Sequence, residues 1–429
     1  MPTCACSPPS STIGGRACWP PNRASLRATC RSPEPRRRNN STWAGSRPPT
    51  SASTPEPTSR LRRVRRLDPR PPPRPRVDTD SVDGFARRLL AWYDLHGRHD
   101  LPWQDTRGHR RTPYRVWVSE VMLQQTQVVT VIPYFERFVA ALPDLPSLAA
   151  ADEDRVLALW SGLGYYRRAR HLHAAARVCA AQHGGDLPRD FDTLAALPGI
   201  GRSTAGAILA LAHDRRHAIL DGNVKRVLSR WHGMRGWPGE RVVENALWKH
   251  AEAHTPAARV ADYTQAIMDL GATVCTRGNP RCDACPLASD CVALRGGLVA
   301  EIPAPRPARA SPERQSVFVV LRDRQDRILL QRRPPQGIWP GLWSLPEAAD
   351  ASGARELASR LAELDGAAAA ALPEIHHAFT HFKLLATPLE WRGVRMHPGI
   401  ADDPALRWCS RTEIATLGVP APVRRMLAS

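Results

Sequence analysis

Leu197-Pro198-Gly199-Ile200-Gly201-Arg202-Ser203-Thr204-Ala205-Gly206 is the stretch on which the reading of this chain turns. Glycines at 199 and 201 allow a tight backbone turn and close approach to a ligand. Ser203 and Thr204 then open a helix of small residues, whose free N–H groups and dipole suit a phosphate. Alone, such a turn could be an ordinary interhelical connection. Outward from it, the pattern stays helical. Val82, Phe85, Leu89 and Tyr93 recur at helical spacing. Pro113 is a favoured first helical residue, and the helix it opens is expected to stop before Pro133. Further helical segments run to about Ala293, broken by Leu197-Pro198-Gly199 and Trp237-Pro238-Gly239. Residues 296–312, with Gly296-Gly297 and Pro303, Pro305, Pro307 and Pro312, read as a linker. Beyond it, Ser316–Leu321 and Arg327–Gln331 read as strands and 352–365 as a helix. The fold expected is therefore multi-domain: an all-α domain over 78–295, then an α+β domain over 313–429.

The net charge of +19 is unevenly placed. Residues 1–77 carry 16 Arg and 3 acids, and so +13 of it. That segment is rich in Pro, Ser and Arg and cannot bury enough apolar surface to order itself. A basic arm for DNA, a transit peptide and an overcalled start near Val77 compete, and the last is favoured. The remainder is mildly basic, which permits a nucleic-acid partner without demanding one. No apolar run approaches the roughly 20 residues of a membrane span. Only three lysines occur, Lys225, Lys249 and Lys383.

Cys275, Cys282, Cys285 and Cys291 form C-x6-C-x2-C-x5-C. Four soft anionic ligands this close suit a shared metal. Disulfides are the plainer reading, but a chain without a secretory signal is expected to stay reduced. Zinc is the harder rival, and spacing alone leaves it open. The absence of paired C-x2-C ribbons tilts the choice toward one [4Fe–4S] cluster. Arg277 and Arg281 make the loop basic.

The hairpin and the cysteines, together with Ser119-Glu120-Val121-Met122-Leu123-Gln124-Gln125-Thr126-Gln127-Val128, Gly162-Leu163-Gly164-Tyr165-Tyr166 and Leu220-Asp221-Gly222-Asn223-Val224-Lys225-Arg226, carry a resemblance. Residues 81–293 resemble the helix-hairpin-helix DNA glycosylase superfamily, most closely its adenine DNA glycosylases. The resemblance implies a helix-hairpin-helix glycosylase domain with an iron–sulfur loop, followed by a Nudix-like domain. It also implies that the hairpin glycines Gly199 and Gly201, with Lys225, contact DNA, and that Gln125 and Tyr165 wedge into the duplex.

Cleaving an N-glycosidic bond calls for an acid to protonate the departing base and an anion to stabilise the sugar cation. Glu120, among Val118, Val121, Met122 and Leu123, is placed to keep its proton. Asp221 stands where a helix begins, which favours the anion. From the residues alone, a salt-bridged Glu and an ordinary N-cap are the plainer readings; the resemblance assigns them to catalysis, with Asn223 and Ser203 beside them. It has the matching Glu protonate adenine N7. Ser203 stands where a lyase would carry a Schiff-base lysine, which implies a monofunctional enzyme. Adenine must be flipped out to reach Glu120, and Leu101, Trp103 and Gln265 are the expected pocket. The stretch Asp105–Arg111 is longer than the family pattern.

Gly341-x5-Glu347-x7-Arg355-Glu356-Leu357 begins a Nudix box, but Ser359 and Arg360 replace the glutamates that would hold Mg²⁺. The domain then reads as a binding module. The resemblance places 8-oxoguanine recognition at Phe379-Thr380-His381, where Thr380 stands in place of the more usual Ser. The expected partner is double-stranded DNA carrying adenine opposite 8-oxoguanine or guanine, bound by a monomer in the cytoplasm, with no membrane. The rivals are a bifunctional glycosylase/lyase, a non-catalytic DNA-binding protein with a structural metal, and a Nudix hydrolase. Ser203, the Glu120–Asp221 pair, and Ser359-Arg360 argue against them in turn.

Overall fold

The computed structural model describes residues 79–104, 111–308, 310–400 and 402–428. The basic segment 1–77 and residues 105–110 of the longer stretch lie outside the described residues. The first part is helical: α1 (Thr79–His96), α2 (Pro113–Leu123), α3 (Val128–Ala141), α4 (Leu145–Ala150), α5 (Glu153–Trp160), α6 (Arg167–Gln182), α7 (Phe191–Ala195), α8 (Arg202–His213), α9 (Gly222–Trp231), α10 (Arg241–His254), α11 (Val260–Asp269) and α12 (Val292–Arg295). The α1 periodicity holds, with Phe85, Leu89 and Tyr93 all buried. Helix α8 runs through the centre and buries Ala205 to Leu211. Its small residues let neighbours come close: a Cβ on Gly206 would sit 2.5 Å from the Ala218 carbonyl oxygen. Side chains cap the helices locally, Thr112 for α2, Asp144 for α4, Asp190 for α7 and Asp221 for α9.

The helix from Pro113 does stop before Pro133, but ten residues short of it. It stops at Leu123, a new helix starts at Val128, and Pro133 lies within α3. The cause is Gln125, which takes a left-handed backbone (φ 58°) that no α-helix accommodates.

The C-terminal part is α+β: β1 (Glu313–Asp323), β2 (Ile328–Arg332), β3 (Trp343–Ser344), β4 (Glu347–Ala348), α13 (Ala351–Leu361), β5 (Ala362–Glu363), β6 (Ala370–Ala371), β7 (Ile375–Ala378), β8 (Lys383–Met396), β9 (Leu406–Cys409), α14 (Arg411–Thr416) and α15 (Ala421–Ala428). Helix α13 ends earlier than the expected 365, because Ala362 and Glu363 pair with β8. The sheet is built on the long parallel pair β1–β8, in the order β3-β2-β1-β8-β5. Alternation along β1 serves two cores. Val317, Val319 and Leu321 pack with Ala354 and Ala358 of α13. Phe318 and Val320 belong to the apolar cluster that continues into the helical part. Polar ties cross the same seam: Arg332 pairs with Asp154 at 2.9 Å, and the Ser161 and Tyr166 hydroxyls donate to the Val419 carbonyl at 3.0 and 3.2 Å.

Candidate functional site

The end of α2 organises two clefts. Glu120 lies on its last turn, half-buried, at the wall of a cleft of about 970 Å³. Past Leu123 the helix leaves carbonyls without partners. One guanidinium collects them: Arg168 Nη1 donates to the carbonyls of Val121, Met122 and Gln124 at 2.9, 2.7 and 2.6 Å. Its Nη2 donates to Thr126 Oγ1 at 3.1 Å and the Gly164 carbonyl at 3.2 Å. Arg168 thus ties the helix end to the Gly162–Tyr166 turn. It holds in place two non-glycine residues with left-handed backbones, Gln125 and Tyr165 (φ 50°). Such conformations persist where the surroundings enforce them, often at functional sites. The Tyr165 ring is half exposed. Neither composition nor periodicity marks Arg168 in so Arg-rich a chain; its position two residues after the Gly-Tyr-Tyr motif is the available signal.

Asp221 faces the same cleft. The Ser203 hydroxyl accepts the Leu220 N–H at 2.9 Å, fixing the extended segment that leads to it. Asp221 Oδ1 accepts the Val224 N–H at 2.8 Å as the cap of α9, and Oδ2 accepts from Asn223 Nδ2 at 3.2 Å. Arg226 holds Asn223 Oδ1 at 2.8 Å and the Cys275 carbonyl at 2.7 Å. Burial, with the Asp221 charge added, pushes the Glu120 carboxyl up to about 8. Burial also raises Asp221, but its N–H donors, Arg226 and the Asn223 amide act in the opposite direction. Both acids are raised by burial, but only Asp221 has hydrogen-bond donors and a guanidinium that favour its anion, which suits Glu120 to the acid role and Asp221 to the anion. Leu101, Trp103, Ser203, Asn223 and Gln265 line the cleft with them. Gln265 is oriented by Asp269 (2.8 Å), itself paired with Arg98 (2.5 Å).

The hairpin is only partly as expected. Gly199 needs its glycine: φ is +78°, and a Cβ would stand 2.7 Å from His171 Cβ. Gly201 has φ −95°, which any residue adopts, so its role is to leave the α8 N-terminus uncovered rather than to turn the chain. Lys225, expected at DNA, lines neither cleft; its Nζ is held by Glu244 at 2.6 Å. It points away because Asp221 caps the first turn of α9 while Lys225 lies on the face toward α10.

A second cleft of about 730 Å³ opens on the other side of Gln125, which lines both. Tyr165, His171 and Gly199 form one wall. Trp339, His377, Phe379, Thr380 and His381 form the other. Phe379 stacks on Phe382 at 4.5 Å and lies 5.4 Å from Trp339. Trp339, itself left-handed at φ 51°, had no motif to announce it. The Nudix remnant has no cation-binding carboxylate cluster among the described residues. Glu347 is taken by Arg314 at 2.9 Å and Arg333 at 2.7 Å.

The four cysteines gather around the end of α9 without pairing as disulfides, with Arg230 Nη1 3.3 Å from Cys275 Sγ. Burial, and then the neighbouring Cys275, hold the Cys282, Cys285 and Cys291 thiols above their ordinary range, a cost that a shared cation would offset. A tetrahedral zinc site with bonds of about 2.3 Å brings sulfurs to roughly 3.8 Å of one another. Among the described residues, the one group of three or more ligand atoms mutually within 4.8 Å is a histidine trio, so no three of these sulfurs are that close. The donor set and its wider spacing fit an iron–sulfur cluster.

Comparison with known proteins agrees with this geometry. Residues 118–253 match the model of the HhH-GPD superfamily base excision DNA repair proteins, and residues 317–429 match a NUDIX domain. The adenine DNA glycosylase of Buchnera aphidicola from Schizaphis graminum is 40% identical over 61% of this chain and 74% of its own length. That of Buchnera aphidicola from Acyrthosiphon pisum is 34% identical over 80% of this chain and 96% of its own. The human adenine DNA glycosylase is 35% identical over 81% and 74%. A chain that joins both domains in this order, and aligns with such relatives over most of their length, belongs to the adenine DNA glycosylase family.

Proposed function

We propose that this protein removes adenine paired with 8-oxoguanine or guanine in duplex DNA, hydrolysing the N-glycosidic bond and leaving an abasic site. The observation that carries the reading is the pairing, in one cleft, of Glu120, raised to about 8, with Asp221, the hydrogen-bonded cap of α9. At neutral pH Glu120 holds a proton for the departing base, and Asp221 is the anion beside the sugar cation. Water completes the exchange at the sugar carbon, and its proton restores Glu120 or leaves to solvent. Leu101, Trp103 and Gln265 enclose the flipped adenine. Among the described residues no lysine lines the cleft, and Ser203 is engaged with the Leu220 amide, so the product strand stays intact.

Gln125 and Tyr165 enter the helix where adenine leaves it, with Gly199, Gly201 and the α8 N-terminus against the phosphates. The opposite base is read in the second cleft by Phe379, Thr380 and His381. One chain supplies both clefts, which suits a monomer acting on chromosomal DNA in the cytoplasm. Cys275, Cys282, Cys285 and Cys291 would hold one [4Fe–4S] cluster, which supplies cross-linking of the 275–291 loop rather than chemistry on the base. Single-turnover adenine release from duplexes with A opposite 8-oxoguanine, G, C or T tests the reading. Release confined to the first two supports it, and equal release from all four overturns it.

A further inference from the structure

The histidine trio lies away from both clefts. His250 and His254 are four residues apart on α10 and so share a face. His232, the C-terminal cap of α9, meets them. One ring nitrogen of each lies within 4.8 Å of the other two. His232 Nε2 and His254 Nε2 are 2.9 Å apart, and the His232 ring lies over His250 with centroids 3.5 Å apart. Phe85 stacks on His254 at 4.3 Å and Trp231 meets it edge-on at 5.0 Å, which fixes the inner ring. His254 is 1% exposed and its Nδ1 has no hydrogen-bond partner, whereas His232 and His250 are half-buried and reach the solvent side.

We propose that His232, His250 and His254 bind one divalent transition-metal ion of the zinc, nickel or cobalt class, leaving a fourth position for water. Imidazoles suit these ions, and a site without carboxylates does not suit magnesium or calcium. Two helical histidines at i and i+4 with a third from a neighbouring element supply three converging neutral donors. Burial keeps the rings neutral, His232 down to about 2 and His254 to about 4, so protons do not compete with metal near pH 7. A shared proton between His232 and His254 accounts for one contact but gives His250 no role. The bound ion ties the end of α9, whose start carries Asp221, to α10. It acts as a staple and not as part of base release.

The test uses the full-length protein with its iron in place. Zinc is added, excess is removed by gel filtration, and zinc and iron per chain are measured for wild type, His250→Leu and His232→Gln. Cobalt(II) spectra report the ligand type. The expected result is one zinc per chain beyond the iron, bound at least tenfold more weakly in both variants. Iron content stays unchanged, adenine release stays within twofold, and cobalt bands lack thiolate charge transfer. Absence of stoichiometric zinc in wild type, equal binding in the variants, or a cobalt–thiolate band would each overturn the proposal. The two variants guard against misfolding of either one.

Discussion

Glu120 offers the sharpest perturbation. With its carboxyl at about 8 instead of the ordinary 4.5, about 90% of molecules carry the acid proton at pH 7, against about 0.3% otherwise. The environment of Glu120 is therefore worth about 300-fold in competent enzyme at that pH. The expected single-turnover rate of adenine release is bell-shaped in pH. Its alkaline limb is centred near 8 and falls about tenfold between pH 7 and 9; the acid limb belongs to Asp221. Glu120→Gln removes the proton and should lower the rate about 10²–10⁴-fold. Stability moves the opposite way. The folded-state value is raised, so the proton held by Glu120 stabilises the fold most below about 4.5, and that contribution is lost as pH rises toward 8. Glu120→Gln should therefore melt higher than wild type at pH 8, with the difference vanishing near pH 4. An alkaline limb below pH 6, or a Gln variant within tenfold of wild type, would refute the reasoning.

Three further outcomes follow from single contacts. Arg168→Met strips five hydrogen bonds from the helix end and the Gly162–Tyr166 turn; it should cost about 3 kcal/mol in denaturant unfolding and weaken duplex binding, and a loss under about 0.5 kcal/mol would contradict it. His381→Ala should slow release of adenine opposite 8-oxoguanine while leaving the A:G reaction within about threefold, and an equal loss on both substrates would place His381 outside base reading. Purified protein should carry four irons and absorb broadly near 400 nm, with Cys285→Ser losing both iron and soluble yield; a colourless protein with one zinc would make the loop a zinc site.

The sequence showed the chemistry more clearly than the scaffolding. Glu120, Asp221 and the cysteines stand in long contiguous motifs, and the cap at Asp221 follows from local rules that the structure reproduces. The break at Gln125 is invisible in the sequence, because a left-handed glutamine has no propensity signature; the carbonyls it frees are satisfied by Arg168, 43 positions away. Trp339 was missed for the same reason, since its place beside Phe379 depends on the packing of the sheet against α15. Lys225 shares its motif with residues that face the cleft, but helical rotation turns it toward Glu244. Gly201 has an extended backbone that needs no glycine, which its place in a glycine-rich turn does not reveal.

The central claim is tested most directly by single-turnover reaction of a duplex bearing one adenine opposite 8-oxoguanine, analysed with and without hot alkali. Free adenine released, with strand breaks only after alkali, is the predicted result. No adenine release, or efficient strand cleavage without alkali, would contradict it.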